Sequence, residues 1–184
     1  VRIAGNKLTK IAQEKGVDVA TLAQAVVEPG KGLGNAEKAQ SAVRNWMRGN
    51  DHPRCKAAQV KKLAAALSVP VGKIAKFECR FRFERGSPRK TKLLTDLIRG
   101  KDYLTAQNLL TFNIKRAAVD VKQALAAAYD DAMAAEADVE KLVVSESAAD
   151  DGPRMKRFNQ KDRGRAHRIY KRMTHITVAL AEKD

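Results

Sequence analysis

The residues with the clearest chemistry lie in the last third of the chain. Between Arg154 and Arg172 stand nine cations: Arg154, Lys156, Arg157, Lys161, Arg163, Arg165, Arg168, Lys171 and Arg172. One acid, Asp162, interrupts them. Their chemistry is anion binding. An arginine fork binds two phosphate oxygens at once and stacks on bases, so a crowded run of this kind calls for a polyanion, with RNA the usual candidate. Gly164 permits positive φ or close backbone approach, while Met155 and Phe158 offer uncharged surfaces that can wedge between bases. Other chemistries are not supported. His52, His167 and His175 have no metal-ligand spacing and no carboxylate partner at a helical offset. Ser87 reads as a helix cap rather than a nucleophile, and Asp130-Asp131 as an exposed acidic helix face. Gly30, Gly32 and Gly34 lack a following GK[ST], so they make no phosphate loop. No catalytic, metal or cofactor site is expected.

The 184 residues carry a net charge of +15, which implies a polyanionic partner: RNA, DNA or an anionic membrane. Aromatics are 5% of the chain, too few for recognition by repeated base stacking. No apolar run approaches the ~20 residues of a membrane span, and no signal-peptide pattern is visible. Cys55 and Cys79 stand far apart without a CxxC, as reduced thiols of a cytosolic protein would.

These cations need elements to position them. Residues 1–76 read as short helices. Leu8, Ile11 and Ala12 have helical spacing up to Gly16, and Asp18 is placed to cap a helix over Val19 to Val27. A Gly/Pro-rich loop follows from Glu28 to Asn35. The next helix, about Ala36 to Arg48, carries Val43 and Trp46. After a turn at Asn50–Pro53, a helix from Cys55 to Leu67 offers Val60, Leu63, Ala64 and Leu67 as its inner stripe. PVGKI, beginning at Pro70, starts a short fifth helix.

Residues 77–184 open with a strand in which Phe77, Cys79, Phe81 and Phe83 point one way. Ser87-Pro88 starts a helix with Leu93, Leu94, Leu97 and Ile98 as its apolar face. Thr105 to Leu110 is a short helix. A long one follows from Asn113 to Ala135, its stripe formed by Ile114, Ala117, Ala118, Val121, Leu125 and Ala128. Leu142-Val143-Val144 begins a second strand. The period-two pattern Ile176, Val178, Leu180 ends a third. Between these two strands lies the charged run, long enough for about 65 Å of extended chain at twenty residues. The expected fold class is therefore α+β: a small antiparallel sheet with packed helices and a long protruding β-hairpin over about 142–182, preceded by an all-α domain. Charge is segregated too. Asp130 to Asp151 holds eight acids and one base, so one face of this half should turn away from a polyanion.

The chain from Phe77 to Asp184 resembles the family of bacterial large-subunit ribosomal protein twenty-two of the L series. The resemblance is carried by SPRK at 87–90, DLIRGK at 96–101, DVEKLVV at 138–144, MKR at 155–157, RGRAHRI at 163–169 and KRMTHITV at 171–178. It implies a cytoplasmic structural constituent of the large ribosomal subunit, with 23S-type rRNA and neighbouring ribosomal proteins as partners. It also implies a role early in subunit assembly and a hairpin tip that lines the nascent-peptide exit tunnel, next to the emerging chain. The rRNA-binding residues so implied are Arg80, Arg82, Arg85, Ser87, Arg89, Lys90, Lys92, Arg99 and Lys101 on the body. On the hairpin they are Arg154, Met155, Lys156, Arg157, Phe158, Lys161, Arg163, Gly164, Arg165, His167, Arg168, Lys171, Arg172 and His175. At SPRK, cations beside free N–H groups of a helix N-terminus would bind phosphate.

Residues 1–76 lie outside that pattern. They resemble a repressor-like helix-turn-helix of the Cro type, through LTKIAQEKG at 8–16, ATLAQAV at 20–26, VRNWMRGNDHP at 43–53 and VKKLAAALSVPVGKI at 60–74. Arg44, Arg48, Lys61 and Lys62 are the candidate nucleic-acid contacts of this segment. The rival function is thus a DNA-binding regulator or autoregulator, although the loop between the second and third helices is longer than the tight turn of that motif.

Overall fold

The computed structural model describes residues 1–27 and 34–183. Most of the Glu28–Asn35 loop, including Gly30 and Gly32, lies outside the described residues. The chain forms two compact units. One is Val1–Phe77 with Asp131–Lys141 and Ala181–Asp184; the other is Glu78–Asp130 with Leu142–Leu180.

The first unit is mainly helical. After strand β1 (Arg2–Ile3) come α1 (Gly5–Glu14), α2 (Val19–Val26), α3 (Ala36–Met47), α4 (Ala57–Ala66) and the single turn α5 (Val71–Ile74). Helix α1 packs on α3 and α5, α2 packs on α3 and α4, and α4 also meets α5 and β1. Leu8, Leu22, Val43, Trp46, Val60, Leu63 and Leu67 are buried together as the apolar spacing predicts. Gly16 and Gly49 close α1 and α3 with φ of 62° and 84°, a conformation glycine adopts at little cost. Asp18 holds the N-cap position of α2, but its side chain makes no capping bond. Strand β1 pairs antiparallel with the start of β2 (Ala75–Arg85), Ile3 opposite Ala75.

The second unit is α+β. In its sheet β6 (Met173–Glu182) lies between β2 and β3 (Leu142–Asp151). That central position buries Ile176 through Leu180 without a gap, including Thr177 and Ala179, where the alternating pattern predicted one buried face. Helices α6 (Pro88–Ile98) and α7 (Tyr103–Thr111) pack on β3 and on each other. Helix α8 (Ala117–Ala134) buries Ala118, Val121, Ala124, Leu125 and Ala128.

Three expectations need correction here. Helix α8 starts four residues later than predicted, and Ile114 stands fully in solvent at 102% exposure. Along β2 the inward alternation fails at Phe83, whose φ of 66° turns it out to 54% exposure, edge-on to His175. On α6 the buried face is Thr91, Leu94, Thr95 and Ile98, while Leu93 and Leu97 are exposed. The two threonines tolerate burial because each hydroxyl donates to its own helix, Thr91 to the carbonyl of Ser87 and Thr95 to that of Lys92.

Candidate nucleic-acid interface

The predicted hairpin consists of two ladders with a break between them. β3 and β6 form its base. Beyond Pro153, which has no N–H to donate, the chain re-pairs as β4 (Met155–Gln160) and β5 (Ala166–Lys171), a separate two-stranded sheet. At the break the strands come close: the Gly152 N–H donates to the carbonyl of Met173, and a Cβ on Gly152 would sit 3.1 Å from that residue. At the far end the Lys161 N–H donates to the Arg165 carbonyl at 2.7 Å. Arg163 and Gly164 turn the chain there with φ of 57° and 73°. Left-handed backbone costs a non-glycine residue roughly 1 kcal/mol, so the Arg163 conformation is one that the turn imposes.

The register assigns the side chains. Lys156 stands opposite Tyr170, Arg157 opposite Ile169, Phe158 opposite Arg168 and Asn159 opposite His167. Because neighbours along a strand alternate faces, one face carries Lys156, Tyr170, Phe158 and Arg168. The other carries Met155, Arg157, Asn159, His167, Ile169 and Lys171. Met155 is half-buried and every other residue of β4 and β5 is exposed. Phe158 is 71% exposed and Tyr170 49%. Two aromatic rings interleaved with two cations on one open face can stack bases and neutralise phosphates together. Tyr170 and Ile169 were not singled out from sequence. Their only signal is the register that puts Tyr170 beside Phe158. Met155, expected to act alongside Phe158, lies on the opposite face, and its sulfur is 3.9 Å from the guanidinium of Arg157.

A second cationic concavity lies in the body of the same unit. A groove of about 620 Å³ is lined by Arg85, Ser87 and Lys90 on one side and by Lys115, Arg116 and Asp120 on the other. Lys115 and Arg116 were also missed. They precede α8, and only the true start of that helix reveals them as groove residues. Ser87 occupies the N-cap position of α6, but its hydroxyl makes no capping bond. The N–H groups of Lys90 and Thr91 are taken by the Ser87 carbonyl. The helix end therefore offers fewer open amides than the SPRK pattern implies, and binding there falls to the cations.

The sequence pattern of the family described as ribosomal protein L22p/L17e matches residues 79–181. The chain belongs to that family. A relative from Magnetococcus marinus, a large ribosomal subunit protein uL22, is 48% identical over 100 residues, covering 54% of this chain and 88% of the relative. Proteins of the L22p/L17e family are structural rather than enzymatic. Among the described residues no helix is long and apolar enough to cross a membrane.

Several family-motif residues have structural partners. Arg99 pairs with Asp96 at 2.9 Å and donates to the carbonyl of Ser147, which ties α6 to β3. Lys101 joins the sheet edge through its carbonyl, which accepts from Val144 at 2.9 Å. His175 accepts the Phe83 N–H on Nδ1 at 3.1 Å, so the neutral ring carries its proton on Nε2. In the DVEK segment, Asp138 takes Lys141 at 2.6 Å. The hydrogen bond from Lys141 holds the Asp138 carboxyl below its ordinary range. Arg80 and Arg154 each lie 3.9 Å from an aspartate, Asp150 and Asp151. Such exposed pairs hold the side chains weakly and leave them open to exchange for phosphate. Arg82, Arg89, Lys92 and Arg172 are exposed as well.

Of the candidates in the first unit, Arg44 and Arg48 lie on one exposed ridge of α3. Lys61 and Lys62 lie on α4, a different helix, so the structure does not gather the four into one ridge.

Proposed function

We propose that this chain is a structural constituent of the large ribosomal subunit that binds 23S-type rRNA through the β4–β5 ribbon. The observation that carries this reading is a ribbon with almost every residue in solvent and nine cations against one acid over 154–172. A two-stranded ribbon alone in water is marginally stable. RNA packed on both faces supplies the walls that the protein lacks and the counter-charges that the cations need. By neutralising phosphates where rRNA segments meet, the ribbon favours their folded arrangement early in subunit assembly. Its tip, around Gly164, then lines the nascent-peptide exit tunnel beside the emerging chain. The Arg85–Arg116 groove is a second phosphate contact on the body. Neighbouring ribosomal proteins are the remaining partners.

The amino-terminal helices, residues 1–76, are proposed as an added docking module built on a helix-turn-helix-like scaffold.

The test is the triple variant Arg163→Ala, Arg165→Ala, Arg168→Ala. We expect large subunits to accumulate as incomplete particles on sucrose gradients. Normal assembly with the variant at one copy per subunit would overturn the assignment of the ribbon.

A further inference from the structure

Helix α3 has two unlike faces. Ala39, Ala42, Val43 and Trp46 are buried, facing α1 and α2. The opposite ridge, at steps of three and four residues, is Glu37, Ser41, Arg44 and Arg48, all exposed, with exposed Lys38 at its edge. Glu37, in the first turn, is the one acid of the helix.

The ridge is rigidly held. A Cβ on Gly5 of α1 would lie 2.4 Å from the Trp46 carbonyl, so the two helices touch backbone to backbone. Thr9 Oγ1 donates to the Met47 carbonyl at 3.1 Å. Trp46 Nε1 donates to the Pro53 carbonyl at 2.7 Å and Asn45 Nδ2 to the His52 carbonyl at 3.0 Å. These bonds fix the segment after the helix, which adds exposed Arg54 and Lys56. Asp51, the acid in that segment, is engaged by Arg2 at 3.2 Å and by the Cys55 N–H.

We infer that the α3 ridge, with Arg54, is a third RNA-binding surface, beside the ribbon and the Arg85–Arg116 groove, and that it grips the phosphate backbone of an RNA helix. The choice of RNA rests on the ribosomal reading above. The choice of backbone rests on this surface alone. It presents cations and a hydroxyl, with Glu37 confined to the first turn, and the one aromatic of α3, Trp46, is buried on the other face at 1% exposure, so the ridge has no platform for unstacked bases. The β4–β5 ribbon, with Phe158 and Tyr170 in solvent, differs in that respect.

The test uses full-length protein in purified large subunits. Ser41→Cys is labelled with tethered iron-EDTA for hydroxyl-radical cleavage, with Asn159→Cys in the ribbon as comparator and the labelled parent chain as background for Cys55 and Cys79. We expect rRNA cleavage from position 41 at a discrete set of nucleotides. It should fall at least several-fold when Arg44→Ala and Arg48→Ala are added. Cleavage from position 159 with none from position 41 overturns this inference and leaves the ribbon assignment standing. Cleavage from neither position overturns both. A larger loss of affinity for a random DNA duplex than for an RNA duplex of equal length, when Arg44→Ala and Arg48→Ala are introduced into the full-length protein, overturns the assignment of the ridge to RNA.

Discussion

At the scale of the residue, the proposed function asks two kinds of RNA contact of the ribbon. Arginines act through charge and displace counterions, so each one removed should lower the log–log salt slope of binding by about 1. Phe158 and Tyr170, both exposed, would act through stacking, worth about 1–3 kcal/mol per base and insensitive to salt. We therefore expect Phe158→Ala and Tyr170→Ala to weaken binding to large-subunit rRNA with the salt slope unchanged. Titration at four or five salt concentrations reads both quantities. A slope that drops in the aromatic variants would mean the rings only position the cations. Phe158 could be singled out from sequence because it interrupts a charge run. Tyr170 could not, because its face depends on a turn whose length no local pattern specifies. Cys55 offers a second check at this scale. Burial, and then the Asp51 carboxylate, push its thiol from an ordinary 9.0 up to about 12. Native Cys55 should resist iodoacetamide at pH 8.5 and react once the protein is unfolded. The sign of its pH effect follows. As pH rises from about 9 towards 12, the unfolded chain releases a proton that the native thiol keeps, so the Cys55 contribution to stability declines across that window.

At the scale of the element, α6 shows what apolar periodicity can and cannot establish. Leucines 93, 94 and 97 with Ile98 make an obvious stripe, yet the helix turns by about a quarter to place Thr91 and Thr95 inward. Packing on β3 decides the face, and threonine pays no unmet hydrogen bond there because its hydroxyl returns to the helix. Leu94→Ala should cost about 2–5 kcal/mol as a buried truncation, and Leu93→Ala within about 0.5 kcal/mol as an exposed change. Urea denaturation of the two variants separates them, and equal losses would restore the leucine stripe as the buried face. The helices of the first unit were legible to within a turn because glycines at 16 and 49 mark their ends with positive φ. The start of α8 was not. Ile114 continues the apolar spacing of that helix but belongs to the segment before it, and the Lys115-Arg116 pair was overlooked for the same reason.

At the scale of the whole molecule, the net charge of +15 is unevenly spread. Eight acids between Asp130 and Asp151 stand next in sequence to the most cationic segment, but Asp131, Glu136, Asp138 and Glu140 belong to the first unit and Asp130, Glu146, Asp150 and Asp151 to the second, so the run is divided between the units where the sequence suggested one acidic face of the second half. Composition alone pointed to a polyanion: RNA, DNA or an anionic membrane. Ordered motifs pointed to the ribosome, and the family match over residues 79–181 agrees with them. The function of residues 1–76 was less legible, since exposed cations on short helices suit DNA, RNA or water equally until their ridges are known. With many phosphates engaged, the full-length protein should lose affinity for large-subunit rRNA steeply with salt. The Arg163/Arg165/Arg168 alanine variant should lower the slope by about 2–3. An unchanged slope would place the principal contacts elsewhere.

The central claim is that the β4–β5 ribbon is enclosed by rRNA. The most direct measurement is an electron cryomicroscopy map of large subunits purified with the full-length chain. The account predicts continuous density for residues 155–171 with RNA against both faces and with Phe158 and Tyr170 in contact with bases. A ribbon projecting into solvent from the subunit surface, or subunits that lack this chain, would contradict it.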